Sequence, residues 1–209
     1  MCDWRNGRGA TKESFFIYFF TVSIMRENIE HIIEAIQPFD EIEAAHRDDA
    51  LRWIQSGEEI FRLEKPAVPP KHLVSYGVLT DHAQHAIMLV DHKKAKLWLP
   101  PGGHVEKDED PAMTVVREIR EELDIVVDFV HDQPLFITQA VTVGLTKGHT
   151  DVSLWYVLNA DSQRELVYDT EEFDGYQWLG YEEILNRDSS LFDPHMQRFV
   201  RKLLATLAD

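Results

Sequence analysis

Cysteine is almost missing from this chain. Cys2 is the single one among 209 residues, which excludes an internal disulfide and any metal site built on thiolates. That scarcity fits a reducing compartment, and a cytoplasmic protein is expected. Basic residues are also few: 21 Lys and Arg stand against 37 Asp and Glu, a net charge of −16. No Lys/Arg run forms a footprint for a phosphate backbone, so no nucleic acid is expected as a partner. Small phosphorylated substrates stay compatible with that charge where bound metal supplies the positive counterpart. The chain also lacks internal repeats and low-complexity segments. The apolar run Phe15 to Met25 is too short to span a bilayer. It follows Arg5, Arg8 and Lys12 and has the outline of a signal peptide, yet no small-residue cleavage site follows. Residues 1–24 are therefore expected to be a non-core extension, with membrane targeting as the alternative; no membrane partner is expected.

What is present suffices for a substantial core, with 44% hydrophobic residues. Ile29, Ile32, Ile33 and Ile36 have helical spacing and stop at Pro38. A second helix is expected from about Asp40 to Gly57, with Ile42, Ala45, Leu51 and Ile54 inward. Pro66, Pro69 and Pro70 then make a linker, which sets residues 25–66 apart from a main domain over 67–209. In that domain, His72 to Thr80 and His85 to Asp91 read as a hairpin, and Lys96 to Leu99 as a short strand. Val126 to Phe129 and Leu135 to Val143 look extended. Val152, Leu154, Tyr156 and Leu158 alternate with Ser153, Trp155 and Val157 as a strand does. Gly175 to Leu179 is a further strand and Tyr181 to Asn186 a small helix. Asp193-Pro194 opens a final helix with Met196, Phe199, Val200, Leu203, Leu204 and Leu207 as its apolar stripe. The order predicts an α/β fold, a mixed sheet with helices on both faces.

The stretch from Pro100 to Ile125 is the densest in chemistry. Asp110 suits an N-cap and Pro111 the first helical position. Ala112, Met113, Val116, Ile119 and Leu123 then gather on one side of the predicted helix. Glu118, Glu121 and Glu122 fall at i, i+3 and i+4 on the other. Like charges at that spacing repel by roughly a few tenths of a kcal/mol per pair. A cation removes that penalty, and hard carboxylate oxygens suit Mg²⁺, with Mn²⁺ as a substitute. The plain alternative is a solvated acidic face. Two features favour metal. Gly102-Gly103 lets the backbone approach a ligand closely, and Arg117 can pin one carboxylate while leaving others available.

Gly103, Glu109, Arg117, Glu118, Ile119, Glu121, Glu122 and Ile125 together resemble the Nudix box, G-x5-E-x7-R-E-U-x-E-E-x-G-U, with U a bulky aliphatic. One position departs from it: Asp124 stands where glycine is usual. The resemblance implies an α/β/α sandwich, here preceded by an N-terminal helical extension. It implies an Mg²⁺-dependent hydrolase that cleaves the pyrophosphate linkage of a nucleoside diphosphate derivative or nucleoside triphosphate by water attack at phosphorus. Glu121 and Glu122 match the metal-ligating pair, with the Gly102 carbonyl as a further ligand. Glu118 matches a ligand or the general base, and Arg117 and Glu109 the shell that fixes these carboxylates. A further acid outside the box is implied, with Asp151, Glu171 and Glu172 as candidates.

Other residues carry two readings each. Gly103, His104 and Asp151 are taken as substrate-binding, though His104 also suits a structural role. His149 and Asp151 line a pocket or cap a turn. Trp98 and Trp155 stack on a base or pack in the core. The competing function is a Nudix-like module that senses a nucleotide without cleaving it, which the intact carboxylates disfavour. Isomerisation of isopentenyl diphosphate lacks its expected cysteine. The partner is a small phosphorylated molecule whose identity, like the oligomeric state, the sequence leaves open.

Overall fold

The computed structural model of the chain describes residues 12–65, 67–146 and 148–208, and side chains from residue 24 on. Of the expected extension, residues 1–11 lie outside these, and 12–24 belong to the first helix. Two helices lead, α1 (Lys12–Ala35) and α2 (Glu41–Gln55), followed by strands β1 (Lys71–Asp81), β2 (Ala86–His92), β3 (Leu97–Leu99) and β4 (Gly102–His104). Helix α3 (Pro111–Leu123), β5 (Phe136–Val141), β6 (Thr150–Asn159), β7 (Phe173–Gly180), α4 (Tyr181–Asn186) and α5 (Met196–Ala208) complete the order. No helix among the described residues is long and apolar enough to cross a membrane.

The strands form one seven-stranded mixed sheet in the order β3-β2-β1-β6-β5, with β4 also on β1 and β7 also on β2. Among the described strands only β1 and β6 pair in parallel, from Lys71↔Thr150 to Thr80↔Asn159. Burial is nearly continuous along β1 and β6, because both faces of these central strands are covered. One face carries Ile29, Ile33, Ile54, Val115, Ile119 and Leu123 of α1–α3 against Leu73, Leu154 and Tyr156. The other carries Ile184 of α4 and Met196, Phe199 and Val200 of α5 against Val78, Leu89 and Trp155. The result is the predicted sandwich of helices, sheet and helices.

Helix α2 departs from its expected phase. Ile42 is 52% exposed and Ala45 is exposed, while Glu43 is fully buried. The reason lies on the sheet edge. Strand β5 is terminal, and unpaired edge N–H groups need partners. The Ile137 N–H donates to Glu43 Oε1 (3.2 Å), and the Gln139 N–H to His46 Nδ1 (3.3 Å). Lys202 Nζ of α5 donates to the same Glu43 oxygen at 2.8 Å and neutralises it. Polar groups, rather than the two apolar residues, thus set the rotation of α2. The expected strand Val126 to Phe129 is also absent, reduced to a single bridge of Phe129 with Leu158. Trp155 is a core residue, fully buried and stacked on Phe199 at 5.1 Å.

Candidate active site

Helix α3 starts as its sequence requires: the Ala112 N–H donates to Asp110 Oδ1 at 2.8 Å, with Pro111 at the first turn. Its buried face is rotated by about one position from the expected stripe. Met113 is 56% exposed, whereas Val115, Ile119 and Leu123 are buried. Thr114 and Glu122 are buried with them, so the inward face of this helix is partly polar. The helix ends at Asp124 with φ 51° and ψ 38°, the left-handed conformation, and its N–H donates to the Arg120 carbonyl. Aspartate tolerates this better than most residues, so the departure from glycine leaves the helix end in place.

The three glutamates do not share one environment. Glu122 is 6% exposed and accepts the Gly102 N–H at 3.0 Å. Burial, followed by the nearby Glu118 and Glu172 charges, pushes its pKa up to about 9. Glu118 is also raised, mainly by burial, although Arg117 opposes the shift. Glu121 is 62% exposed and 3.6 Å from Arg117 Nη1. Arg117 is the organiser. Its Nε and Nη2 hold Glu109 in a two-pronged bond, each 2.9 Å; Nη1 donates to Glu118 Oε1 at 2.8 Å and Nη2 to the His104 carbonyl at 3.3 Å. Glu109 also accepts from Thr114 Oγ1 (2.8 Å) and the Glu106 N–H (3.1 Å). Against the cost of burial, these bonds hold its carboxyl below the usual range.

The glycines decide where the carboxylates sit. A Cβ on Gly103 would lie 2.2 Å from Glu118 Oε1, so Glu118 occupies the space a side chain would fill. Gly102 has φ +145°, and its Cβ would lie 2.2 Å from the Ser75 carbonyl oxygen. The donor set therefore suits a hard dication: one buried and one half-buried carboxylate, a third at the rim and a glycine backbone. Among the described residues no cation contacts Glu122.

The remaining acids divide. Glu172 contributes to raising both Glu118 and Glu122. Glu171 has a local role, its N–H donating to Asp169 Oδ1 at 2.7 Å. Asp151 belongs elsewhere, with His104, His149 and His72, whose ligand atoms lie within 4.8 Å of one another. His72 and the neighbouring Arg62 carry no local signal in the sequence. His72 joins the group only because β1 and β6 are parallel and set it opposite Asp151.

A profile of the NUDIX domain matches residues 70–203. The chain belongs to the Nudix family. Solved Nudix structures share its fold. A NUDIX-family hydrolase from Clostridium perfringens is 20% identical with a TM-score of 0.51, over 65% of this chain and 97% of that one. The E. coli dihydroneopterin triphosphate pyrophosphohydrolase is 13% identical, also with a TM-score of 0.51, over 71% and 99%. The NUDIX domain of Shewanella oneidensis NrtR, solved with ADP ribose, is 19% identical with a TM-score of 0.50, over 65% and 87%. Among curated proteins none matches the chain.

Proposed function

We propose that this Nudix protein hydrolyses the pyrophosphate linkage of a nucleoside diphosphate derivative or nucleoside triphosphate. One observation carries the reading. The buried Glu122 lies beside Glu118 with no Lys or Arg against it among the described residues, and burial raises the pKa of both, a cost that a bound dication would relieve. Glu118, Glu121, Glu122 and the Gly102 carbonyl would hold Mg²⁺ or Mn²⁺, which when bound neutralises charge on the phosphate oxygens and lowers the pKa of water.

The chain's own groups do the rest. Glu118, held by Arg117, takes a proton from the attacking water as the new P–O bond forms and the bridging oxygen leaves with its electron pair. Arg117 and Glu109 are positioning residues: their two-pronged bond fixes the Glu118 carboxylate from behind. Gly103 supplies the space that carboxylate occupies.

A sensing module that binds without cleavage is the second reading, favoured by likeness to a Nudix domain solved with ADP ribose. The test is a panel of nucleotide derivatives incubated with protein and Mg²⁺, followed for phosphate or nucleotide release alongside calorimetric binding. Release abolished by chelator is the expected result. Tight binding with no release would establish the sensing module instead.

A further inference from the structure

At one end of the sheet, three neighbouring strands bring four ligand atoms together. His72 lies on β1 opposite Asp151 of β6, and His104 of β4 pairs with Val74 of β1. Residues two apart on a strand share a face, so His72, His104 and Asp151 stand on the same side. His149 reaches them from just before β6. The three Nε2 atoms lie 3.2 Å (His149), 3.4 Å (His72) and 4.0 Å (His104) from Asp151 Oδ1. A tetrahedron with metal–ligand bonds of about 2.0–2.1 Å has edges of about 3.3–3.4 Å, so the His149 and His72 separations match a closed metal site, and the wider ones, up to 4.8 Å, must contract on binding.

The protons decide what the group is for. His72 Nδ1 lies 2.8 Å from the Pro69 carbonyl, which can only accept, so Nδ1 carries a proton and, in the neutral ring, Nε2 a lone pair. The Thr142 hydroxyl donates to the His149 carbonyl at 3.2 Å. Its oxygen lies 3.1 Å from His149 Nδ1, so Nε2 is the ring nitrogen that faces Asp151. His104 Nε2 faces Arg62, which can only donate, at 3.3 Å. Three imidazole nitrogens and a carboxylate oxygen therefore converge, all within 4.8 Å of one another. His72 is fully buried, and neither its Nε2 nor Asp151 Oδ1 has a hydrogen-bond partner. Buried acceptors facing one another without a donor are costly. Imidazoles whose other nitrogen is fixed by a carbonyl or hydroxyl are also the usual pattern around a ligated metal.

We propose that His72, His104, His149 and Asp151 form a second metal site, selective for a borderline dication such as Zn²⁺ and separate from the glutamate site of α3. Imidazole-rich sets favour zinc, whereas carboxylates and carbonyls favour Mg²⁺. The two sites are neighbours, since His104 follows Gly103 and its carbonyl accepts from Arg117. Arg62 is the counterweight. It donates to the His104 nitrogen that the metal needs, so it must swing away on binding, where it can meet an anion held by the metal. This site does not depend on the hydrolytic reading.

The test uses the full chain, stripped by chelator and then titrated with Zn²⁺, or with Co²⁺ as a visible reporter of tetrahedral coordination, in excess Mg²⁺. One equivalent should bind to the wild type and to Glu122→Gln alike. Asp151→Asn and His149→Gln should bind more weakly than the roughly 10–100-fold that losing an outer partner costs. Thr142→Val should fall within that range, and Arg62→Gln should bind more tightly. Because His72 is buried, folding of each variant is checked by its melting temperature in chelator. Absence of a wild-type equivalent, or equal binding by Asp151→Asn and His149→Gln, would overturn the site. Imidazole ¹⁵N signals showing a proton shared with Asp151 that Zn²⁺ does not displace would overturn it equally.

Discussion

Gly102 and Gly103 are adjacent, and the structure predicts opposite consequences for replacing each with alanine. At Gly102 the new Cβ meets backbone: 2.2 Å from the Ser75 oxygen and 2.9 Å from Tyr76 Cα, at φ +145°. Holding a non-glycine residue in such a conformation costs about 1–3 kcal/mol, and overpacking costs about 1–3 kcal/mol more. For a chain of this size each kcal/mol shifts Tm by about 2–4 °C, so Gly102→Ala should lower Tm by at least about 4 °C. At Gly103 the three atoms nearest the Cβ all belong to the Glu118 carboxylate, 2.2 Å to Oε1 and 2.5 Å to Cδ. That group ends a flexible side chain and swings aside. Its bond to Arg117 is lost, but its burial cost is relieved with it, so the net change in stability should be about 1 kcal/mol or less. Catalysis should suffer far more, because a displacement of about 1 Å in a reacting group costs on the order of 10²-fold. Thermal melts and kcat measured in parallel test the pair. Wild-type turnover in Gly103→Ala, or a Tm loss there equal to that of Gly102→Ala, would refute the assigned role of Glu118.

Other outcomes follow from other parts of the molecule. Glu43 is fully buried and accepts from the Phe39 N–H (2.7 Å), the Ile137 N–H and Lys202 Nζ. Glu43→Gln leaves the Lys202 ammonium without its counter-charge and should cost about 3 kcal/mol, or roughly 6–12 °C in Tm; pairing it with Lys202→Met should recover part of the loss. Asp124→Gly removes a left-handed aspartate but also its exposed 3.2 Å pair with Arg120. Melting should show a gain of about 0.5–1 kcal/mol with kcat unchanged. Asp40 caps α2 and is held down to about 2 chiefly by its hydrogen bonds from Arg198. Because its folded pKa lies below the unfolded value, its contribution is present above about pH 4 and lost as pH falls through about 2. Denaturant midpoints should therefore show the gap between wild type and Asp40→Asn closing over that window.

Much of this site was legible because the box is local. The cap and the proline that start α3 depend on a few adjacent residues, and the structure reproduces them. The phases of α2 and α3 were not. Ile42 and Met113 look inward by composition, but Glu43 turns inward to serve the β5 edge, and Thr114 to reach Glu109. The histidine group was least legible: His104 and the His149–Asp151 pair were visible as candidates, but His72 joins them only through the parallel register of two strands far apart in the chain.

Hydrolysis itself is tested most directly with heavy-oxygen water. The protein is turned over in H₂¹⁸O with Mg²⁺ and the products are weighed by mass spectrometry. One ¹⁸O atom should appear in a phosphate-bearing product of the wild type, and Glu122→Gln, though folded, should lose this incorporation by orders of magnitude. Bound nucleotide with no label incorporated, or label entering undiminished in Glu122→Gln, would contradict water attack at a phosphorus supported by the α3 glutamates.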